Sequence, residues 1–471
     1  MKKHKLFSII DNQQGISAVI VAICLFMLVG FVALAIDVGH LYVAKNELQN
    51  AADAGALAGA MNLYSNTGDS INQNANQFGF DASVANLSEN VPVDVNWTGG
   101  NTGDVQRGHW SFGWSTLPRG FYPNNSTALV QLYGVSDEQL DANEDFINAV
   151  RVRVRRESTP IASFFARIFG FDSFQAVSEA IAYIGFAGKM DPANLDFPIA
   201  ICQGALEKEG HPGWTCSEGR FINDATGGAD EETGAWTSLN QDLDADGNDI
   251  CSSGTNANEV KQLVDCVNGI PDDYLEPLIP HKNLNVNNGM LESAFNSFYN
   301  CWKNNYKNSG TVDDPTQFME MLLPVIDCEN DPTTCAPLVG AVWVNVIWVT
   351  PSTGNMDVPE AVQDNLDDPG NPISAWDNSM ATSPPIGGID CSVHCASSSE
   401  YPTVEKCMEN CIFDDFADHY GLKDADDENP GLASLQPKTI YFLPSCKDRE
   451  LEGTTGGKNF GVLAKIPVLV K

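Results

Sequence analysis

The composition of this 471-residue chain is strongly acidic, with 62 Asp and Glu side chains against 26 Lys and Arg and a formal net charge of -36. Such a charge repels the phosphate backbones of DNA and RNA, so it argues against a nucleic-acid partner and favours solubility in an ionic medium. With 43% hydrophobic residues, a chain of this length can bury more than one core, which predicts two domains.

The first feature along the chain is an uncharged apolar run at residues 16–36. Its length matches the roughly 20 residues that a helix needs to cross a bilayer. Lys2, Lys3 and Lys5 precede it, so the positive-inside rule puts residues 1–15 in the cytoplasm and the rest of the chain outside. The sequence therefore predicts a single-pass protein of the inner (cytoplasmic) membrane whose bulk is extracytoplasmic, in the periplasm.

A cleaved secretory signal is the alternative interpretation of the same run. Ala33, Leu34 and Ala35 form the small-x-small pattern that signal peptidase recognises. The apolar part of a signal is usually about 7–15 residues long, whereas this run is longer and continues into a helix-compatible segment. An uncleaved anchor is therefore preferred, and export of the bulk follows from either interpretation.

Cysteine usage agrees with export. Of 13 cysteines, Cys24 lies in the apolar run, which leaves an even number between Cys202 and Cys446. Disulfides persist outside the cytoplasm, so we expect structural disulfides, whose connectivity the sequence does not specify.

Four of these cysteines are spaced as two pairs with i, i+4 separation. On two facing helices each pair would share one face, so a hairpin could join Cys391 to Cys411 and Cys395 to Cys407. Zinc binding together with neighbouring histidines is the alternative. The exported context favours structural disulfides.

The segment after the apolar run, residues 37–64, is rich in Ala and lacks Pro, which predicts a juxtamembrane helix continuous with the span. Leu48, Ala52, Ala56 and Ala60 form what we call the small-residue face of this helix. Such a face allows close packing against another helix, which belongs either to a partner or to the protein itself. It is the candidate interaction surface.

Residues 65–188 are interpreted as one α+β domain. Many turn residues at positions 65–126 predict short strands in loops. Val and Arg alternate at residues 149–155, which predicts a half-buried strand whose Arg side chains pair with carboxylates. An apolar, helix-like segment follows at residues 161–169, and residues 174–184 form a strand or a buried helix.

The composition changes near residue 189, and residues 189–471 are predicted to form a second, cysteine-rich acidic domain. Strands and helices alternate there with long loops rich in Asp, Asn and Gly, so the fold class of the exported part is α+β with disulfide-linked loops. The predicted strands are residues 197–202, 341–349, 439–443 and 462–470, and the predicted helices are residues 259–267, 290–306 and 315–326.

One acidic loop is a candidate ion site. Asp242, Asp244, Asp246 and Asn248 occupy alternate positions, with a glycine between the last two. Oxygen ligands in this pattern fold around a calcium ion, although Ser253 stands where an EF-hand loop supplies its bidentate Glu. The alternative is a solvated acidic turn. Calcium is the one cofactor that the sequence suggests.

Several blocks in the N-terminal part of the chain resemble a known family. They are AIDVGHLY at residues 35–42, LQNAADAGALA at residues 48–58, FFARIFG at residues 164–170 and VSEAIA at residues 177–182. Together they resemble TadG-like Flp pilus-assembly proteins. The resemblance implies a membrane-anchored, non-catalytic component of a tight-adherence (Tad) pilus or its secretion apparatus. Its partners would be the inner membrane and other Tad/Flp assembly proteins.

Two other function classes remain as alternatives: a membrane-tethered exported hydrolase and a calcium-stabilised surface adhesin. The sequence contains no G-x-S-x-G nucleophile elbow, no H-E-x-x-H zinc motif and no P-loop. The D-x-S-x-S metal motif of von Willebrand A domains is incomplete in the run from Asp377 to Ala381. A non-catalytic interaction protein is therefore the expected function.

Overall fold

The computed structural model describes residues 14–65, 70–207, 219–222, 234–250, 257–264, 276–279, 281–288, 292–306, 318–328, 334–352, 437–445 and 449–471, together with Thr255, Cys266, Ile270, Thr403, Phe413, Phe416, Ala417 and Leu422.

The chain begins with one long helix, α1 (Gln14–Met61), which confirms the predicted continuity between the apolar run and the Ala-rich segment. At about 1.5 Å per residue its 48 residues extend over roughly 72 Å, more than twice the thickness of a bilayer's hydrocarbon core. Within the described part of the chain, it is the one helix long and apolar enough to cross a membrane. About half of it is therefore available to pack against the rest of the protein.

An antiparallel sheet lies against the second half of α1. A small hairpin precedes it, formed by β1 (Leu87–Ser88) and β2 (Val91–Pro92). The strands of the sheet are β3 (Val105–Ser111), β4 (Gly120–Pro123), β5 (Ala149–Ala162), β6 (Ser173–Tyr183) and β17 (Val468–Leu469). As far as the residues are described, their order is β17-β6-β5-β3-β4.

Strand β5 confirms the half-buried strand predicted from alternating Val and Arg. Val150, Val152 and Val154 are fully buried and belong to the apolar core between the sheet and α1. The intervening Arg side chains lie on the other face of the sheet. Strand periodicity explains this division, because successive side chains point to opposite faces.

A second helix, α2 (Ala75–Val84), packs tightly on α1. The expectation of short strands in loops over residues 65–126 is therefore incomplete, because this segment also contains a helix. Gly55 and Gly59 of α1 face Gly79 of α2. A Cβ atom at Gly55 would lie 1.9 Å from the hydroxyl of Ser83 and 2.8 Å from the carbonyl oxygen of Gly79. Glycine permits this close approach of the two helices.

The segment between β5 and β6 differs from the helix expected at residues 161–169. Strand β5 continues to Ala162, and a short 3-10 helix covers Ala166–Phe169. It ends at Gly170, which adopts a positive φ of 88° as is common after a helix. Residues 174–184 are mostly strand β6, which resolves the alternative between strand and buried helix.

A mixed sheet organises the second half of the chain. Its strands are β8 (Ile199–Cys202), β9 (Arg220–Ile222), β10 (Gly234–Thr237), β11 (Asn283–Asn288), β12 (Met319–Ile326), β13 (Cys335–Val349) and β14 (Ile440–Pro444). In the described ranges they run in the order β11-β10-β8-β12-β13-β14-β9. Strands β8, β13 and β14 confirm the strands predicted at residues 197–202, 341–349 and 439–443.

Strand β12 corrects the helix predicted at residues 315–326. Its Met and Leu residues favour a helix locally, but Pro324 removes a donor and is poorly tolerated inside one. The strand pairs antiparallel with β13 over most of its length and parallel with β8 at Val325 and Ile326. These non-local pairings outweigh the local preference.

Helices and disulfides cover this second sheet. In the described ranges, the α-helices after α2 are α3 (Asp137–Asp141), α4 (Ala257–Leu263) and α5 (Glu292–Asn305). Helix α5 confirms the prediction at residues 290–306, and α4 confirms the first part of the helix predicted at residues 259–267. Phe295, Phe298 and Trp302 of α5 are buried in the core of the sheet.

Two disulfides are described, which confirms the expected use of cysteine. Cys202 is bonded to Cys328, which joins the ends of β8 and β12. Cys266 is bonded to Cys301, which joins the region after α4 to α5. The quartet Cys391, Cys395, Cys407 and Cys411 lies outside the described residues.

A third sheet connects the two parts of the chain. It consists of β7 (Ala187–Met190), β15 (Arg449–Thr455) and β16 (Val462–Ile466) in the order β16-β15-β7. The strand predicted at residues 462–470 is thus divided between β16 and β17. Strand β17 pairs with β6, so the end of the chain completes the first sheet. A domain boundary near residue 189 stays a prediction.

We expect Gly55→Ala to lower the free energy of unfolding by about 1–3 kcal/mol, because the new methyl group meets a backbone carbonyl that cannot move freely. Gly39→Ala is the matched control on the same helix, since nothing lies within 4 Å of a Cβ atom there. Chemical denaturation of the full chain in detergent, followed by near-UV circular dichroism, measures both. Equal stability of the two variants would contradict the close contact.

Candidate interaction site

A single carboxylate joins the long helix to the sheet. Asp37 follows the apolar run of α1, and its side chain reaches the loop between β5 and β6. It accepts hydrogen bonds from the backbone N–H groups of Phe164 at 2.8 Å, Phe165 at 3.0 Å and Ala166 at 2.5 Å. The hydroxyl of Ser163 donates a further one at 3.3 Å. We call Asp37 together with residues 163–172 the helix–hairpin junction.

The electrostatics of the junction keep Asp37 ionised. Burial by itself raises the pKa of this carboxyl, but the three N–H groups and the Ser163 hydroxyl stabilise the charged form and hold its pKa below the ordinary value. The N–H groups lie at the start of the 3-10 helix, where they have no partner within the helix. The carboxylate therefore gives these N–H groups an acceptor, and the N–H groups give the carboxylate its hydrogen-bond donors.

The loop has internal hydrogen bonds that define its shape. The Ser163 hydroxyl accepts from the N–H of Arg167 at 3.1 Å, and the N–H of Phe171 donates to the carbonyl of Ala166 at 3.2 Å. The N–H of Ser163 donates to the carbonyl of Asp172 at 3.0 Å, which closes the base of the loop. With its polar backbone groups satisfied in this way, the loop carries its apolar side chains on the outside.

A second contact holds the same face of α1. Glu89, next to β1, contacts the ring of His40 of α1 and forms an ion pair with Arg156 of β5 at 3.5 Å. Arg156 is almost fully buried and donates to the carbonyl of Ser88 at 2.6 Å. The ring of His40 lies 4.9 Å from that of Phe164, measured between centroids. Side-chain contacts of Glu89 therefore fix the junction in addition to the backbone hydrogen bonds.

The Arg side chains of β5 pair with carboxylates, as predicted. Arg153 forms an ion pair with Glu179 of β6, and Arg155 forms one with the buried Asp104. The side chain of Arg151 lies over the ring of Phe121 at 4.9 Å. Since these groups are engaged within the sheet, the Arg row has a structural role.

The small-residue face of α1 is covered by the chain itself. Leu48, Ala52, Ala56 and Ala60 are all fully buried and belong to one core with α2, β5 and β6. Of the two arrangements considered for this face, internal packing is the one in the structure. A partner of this protein must therefore contact other surfaces.

The acidic loop is folded around one of its own side chains. The carboxylate of Asp244 accepts from the N–H groups of Asp246 at 2.9 Å and Asn248 at 2.8 Å, and from the Asn248 amide at 3.1 Å. The hydrogen bonds from Asn248 are the main cause of a lowered Asp244 pKa. Among the described residues, no group of three His, Cys, Asp or Glu side chains is arranged to hold a metal ion. Calcium at Asp242, Asp244, Asp246 and Asn248 stays a prediction.

The histidines in the described ranges have structural partners. Both ring nitrogens of the buried His109 lie 2.8 Å from backbone carbonyl oxygens, those of Phe146 and Asp141. His40 pairs with Glu89, and His281 lies 3.2 Å from the carbonyl of Gly456. These rings connect segments of the fold.

A cavity of about 240 Å³ lies where the first sheet meets the third. Its lining includes Phe112 and Trp114, whose rings are stacked, and Tyr183 at the end of β6. Asp137 also contributes, and burial together with the nearby Glu138 raises the pKa of Asp137 to about 6. The lining comes from segments that are far apart in sequence, so no local motif predicts it.

No local sequence pattern predicts the contact between Asp37 and residues 164–166. Each of the two segments belongs to a block that resembles the same family, and this shared resemblance is the signal in the sequence that links them. The pairing itself depends on a helix and a hairpin that are more than a hundred residues apart in the chain.

The fold and the junction define a class: an α+β protein in which a β-hairpin is fastened to a long helix, just beyond a segment able to cross a membrane. Residues 15–62 match the TadE/G-like Flp pilus-assembly family, and residues 58–182 match the Tad-like Flp pilus-assembly family. These matches confirm, over residues 15–182, the resemblance to Tad-type Flp pilus-assembly proteins. Comparison with curated proteins and with solved structures gives no match.

We expect Asp37→Asn to loosen the loop, because an amide group presents donors where three N–H groups already point. Hydrogen–deuterium exchange of the amides of residues 164–166 should become faster. Asp53→Asn is the matched control, since Asp53 lies on the same helix and bonds only locally to Gln49 at 2.8 Å. Unchanged exchange in Asp37→Asn would contradict the junction.

The wild-type junction should also depend on pH. Because the pKa of Asp37 is lower in the folded protein than in the unfolded chain, its stabilising contribution is fully present above the ordinary carboxyl pKa of about 4. This stabilising contribution is lost as the pH falls through the lower pKa that Asp37 has in the folded protein. Protection of the same amides, corrected for intrinsic exchange, should therefore fall only in strong acid.

We expect Asp137→Asn to raise the free energy of unfolding at pH 8 and to have little effect at pH 4. The folded-state pKa of about 6 lies above the unfolded value of about 4, so stability falls as the pH rises between these two values, and the loss is complete above pH 6. Urea unfolding at both pH values measures the difference. Glu144→Gln, an exposed neighbour, is the control. A lower free energy of unfolding for Asp137→Asn at pH 8 would contradict this prediction, because it would mean that the ionised carboxylate stabilises the fold.

Proposed function

We propose that the protein is a non-catalytic component of Flp/Tad pilus assembly that is anchored in the inner membrane and acts through protein–protein contacts. Residues 16–36 cross the membrane with the N-terminus in the cytoplasm. The sheets and the helices packed on them lie in the periplasm, where they meet other assembly proteins.

The observation that carries this proposal is the agreement between family and structure. The matched region, residues 15–182, contains the apolar half of α1, the hairpin fastened to it and the sheet around that hairpin. The family indicates pilus assembly, and the structure supplies a rigid connection between a membrane-spanning segment and a folded domain. A component that must hold a domain at a fixed place on the membrane requires such a connection.

The described histidines and two Arg side chains of β5 support a role without catalysis. The histidines contact the backbone or a carboxylate, and Arg153 and Arg155 form ion pairs within the sheet. A catalytic group needs a reactive atom that is available near a base or a metal, whereas these five side chains contact other parts of the fold.

Because the small-residue face is covered by the chain itself, we expect partners to bind at other surfaces of the protein. Because α1 uses that face for its own domain, an assembly partner in the membrane would contact the exposed apolar half of the helix. A periplasmic partner would contact the outside of the sheets. Both kinds of contact leave the junction intact.

The test is deletion of the gene in its host, with surface pili counted by electron microscopy. We expect pili to be lost and to return when the wild-type gene is supplied on a plasmid. Complementation with Asp37→Asn should restore fewer pili, whereas Asp53→Asn should restore them fully, because only the first variant disturbs the junction. Normal piliation of the deletion strain would overturn the assigned function.

A further inference from the structure

The loop between β5 and β6 exposes an unusual amount of apolar surface. Phe164, Ile168, Phe169 and Phe171 are 51%, 76%, 77% and 60% exposed, and Phe165 is 36% exposed. Contiguous apolar patches of this kind on a protein usually mark a place of contact. We call these five side chains the aromatic loop patch.

The position of this patch along α1 is set by the junction. Asp37 holds the backbone of the loop, and it is the first residue after the uncharged run that ends at Ile36. A helical run at residues 16–36 is roughly 30 Å long, which equals the thickness of the hydrocarbon core. With the run placed across the bilayer, Asp37 lies at its edge and the patch lies at the level of the lipid headgroups.

The hairpin could not easily place this loop elsewhere. Near its base, Val150 of β5 lies against Gly59 of α1, and at its tip Ser163 bonds to Asp37. Ser178 of β6 donates to the carbonyl of Lys45 between these two levels, at 3.4 Å. The hairpin therefore runs back along α1 toward the apolar run, and its tip is the part nearest the membrane.

We propose that the aromatic loop patch inserts into the interfacial region of the same bilayer that α1 spans, as a second membrane contact beside the helix. This inference rests on the proposed membrane anchoring. Aromatic rings are favoured at the headgroup level, and an apolar loop can bury its side chains there to a depth of about 5–10 Å.

Lipid fits this patch better than a protein partner for two reasons. The patch is continuous with the apolar surface of α1, where Ile36 and Val38 are also exposed, so one bilayer covers both. Arg167, in the middle of the loop, is exposed and donates to the carbonyl of Phe164 at 3.1 Å, which leaves its cationic head near the anionic headgroups. The rest of this acidic chain would be repelled by such lipids.

The test uses the full chain in nanodiscs of phosphatidylcholine and phosphatidylglycerol. A trifluoromethyl-phenylalanine replaces Phe169, Phe26 or Phe78 in separate samples, so that each protein carries one fluorine label. Phe26 lies within the apolar run and is 80% exposed, whereas Phe78 lies on α2 and is 44% exposed. Fluorine NMR is recorded with a phosphatidylcholine that carries a nitroxide near the start of its acyl chain, and separately with a water-soluble gadolinium chelate.

If the proposal holds, the signal at residue 169 is lost with the nitroxide lipid and kept with the gadolinium chelate, as at residue 26. The signal at residue 78 is kept with the nitroxide lipid and lost with the gadolinium chelate. A signal at residue 169 that behaves like residue 78 overturns the proposal while leaving the anchor in place. A signal at residue 169 that neither reagent reduces shows a protein contact and overturns it as well. Failure of residue 26 to respond to the nitroxide lipid would instead overturn the anchor.

Discussion

The carboxylate of Asp37 is the constraint on which the position of the first sheet along α1 depends. Three backbone N–H groups at the start of a 3-10 helix need an acceptor, and a carboxylate that leaves water needs donors. The N–H groups of residues 164–166 donate to the carboxylate of Asp37, so the N–H groups gain an acceptor and the carboxylate gains donors. Because the acceptor lies on the helix and the donors lie at the tip of a hairpin, these hydrogen bonds determine how the hairpin is aligned along α1. The contacts of Glu89 with His40 and Arg156 reinforce the same alignment.

Close packing of α1 against α2 and the first sheet is the second interaction that holds the long helix in place. Gly55 and Gly79 let α1 and α2 approach so closely that a Cβ atom at Gly55 would meet the backbone of α2, and the small-residue face fills the remaining space with methyl groups. The two halves of α1 therefore differ in what they contact. The first half presents large apolar side chains to its surroundings, and the second half presents Ala and Gly to the protein. Interior packing of this density resists rearrangement, so it holds the second half of α1 against α2 and the first sheet.

The elements with strong local signals were predictable from sequence. The uncharged run and the Ala-rich segment predicted α1, and alternation of Val and Arg predicted β5 together with its ion pairs. Helix α2 was missed because Gly79 at its centre lowers the local preference for a helix, which packing on α1 stabilises. Strand β12 was mistaken for a helix because Met and Leu favour helices locally, whereas pairing with β13 decides the structure. The junction and the cavity near Asp137 depend on residues distant in sequence, which a single sequence cannot bring together.

Strand β17 has a consequence for the order in which the protein folds. Val468 and Leu469 pair with Tyr183 and Ala182, so a sheet built mainly from the first two hundred residues acquires one of its strands from residues near position 470. Because a chain is synthesised from its N-terminus, β17 is made after the strands of the second and third sheets described here. The edge of β6 at Tyr183 and Ala182 therefore stays unpaired while those strands are being made. An open strand edge can pair with another chain, so β17 protects the base of the hairpin once it is in place.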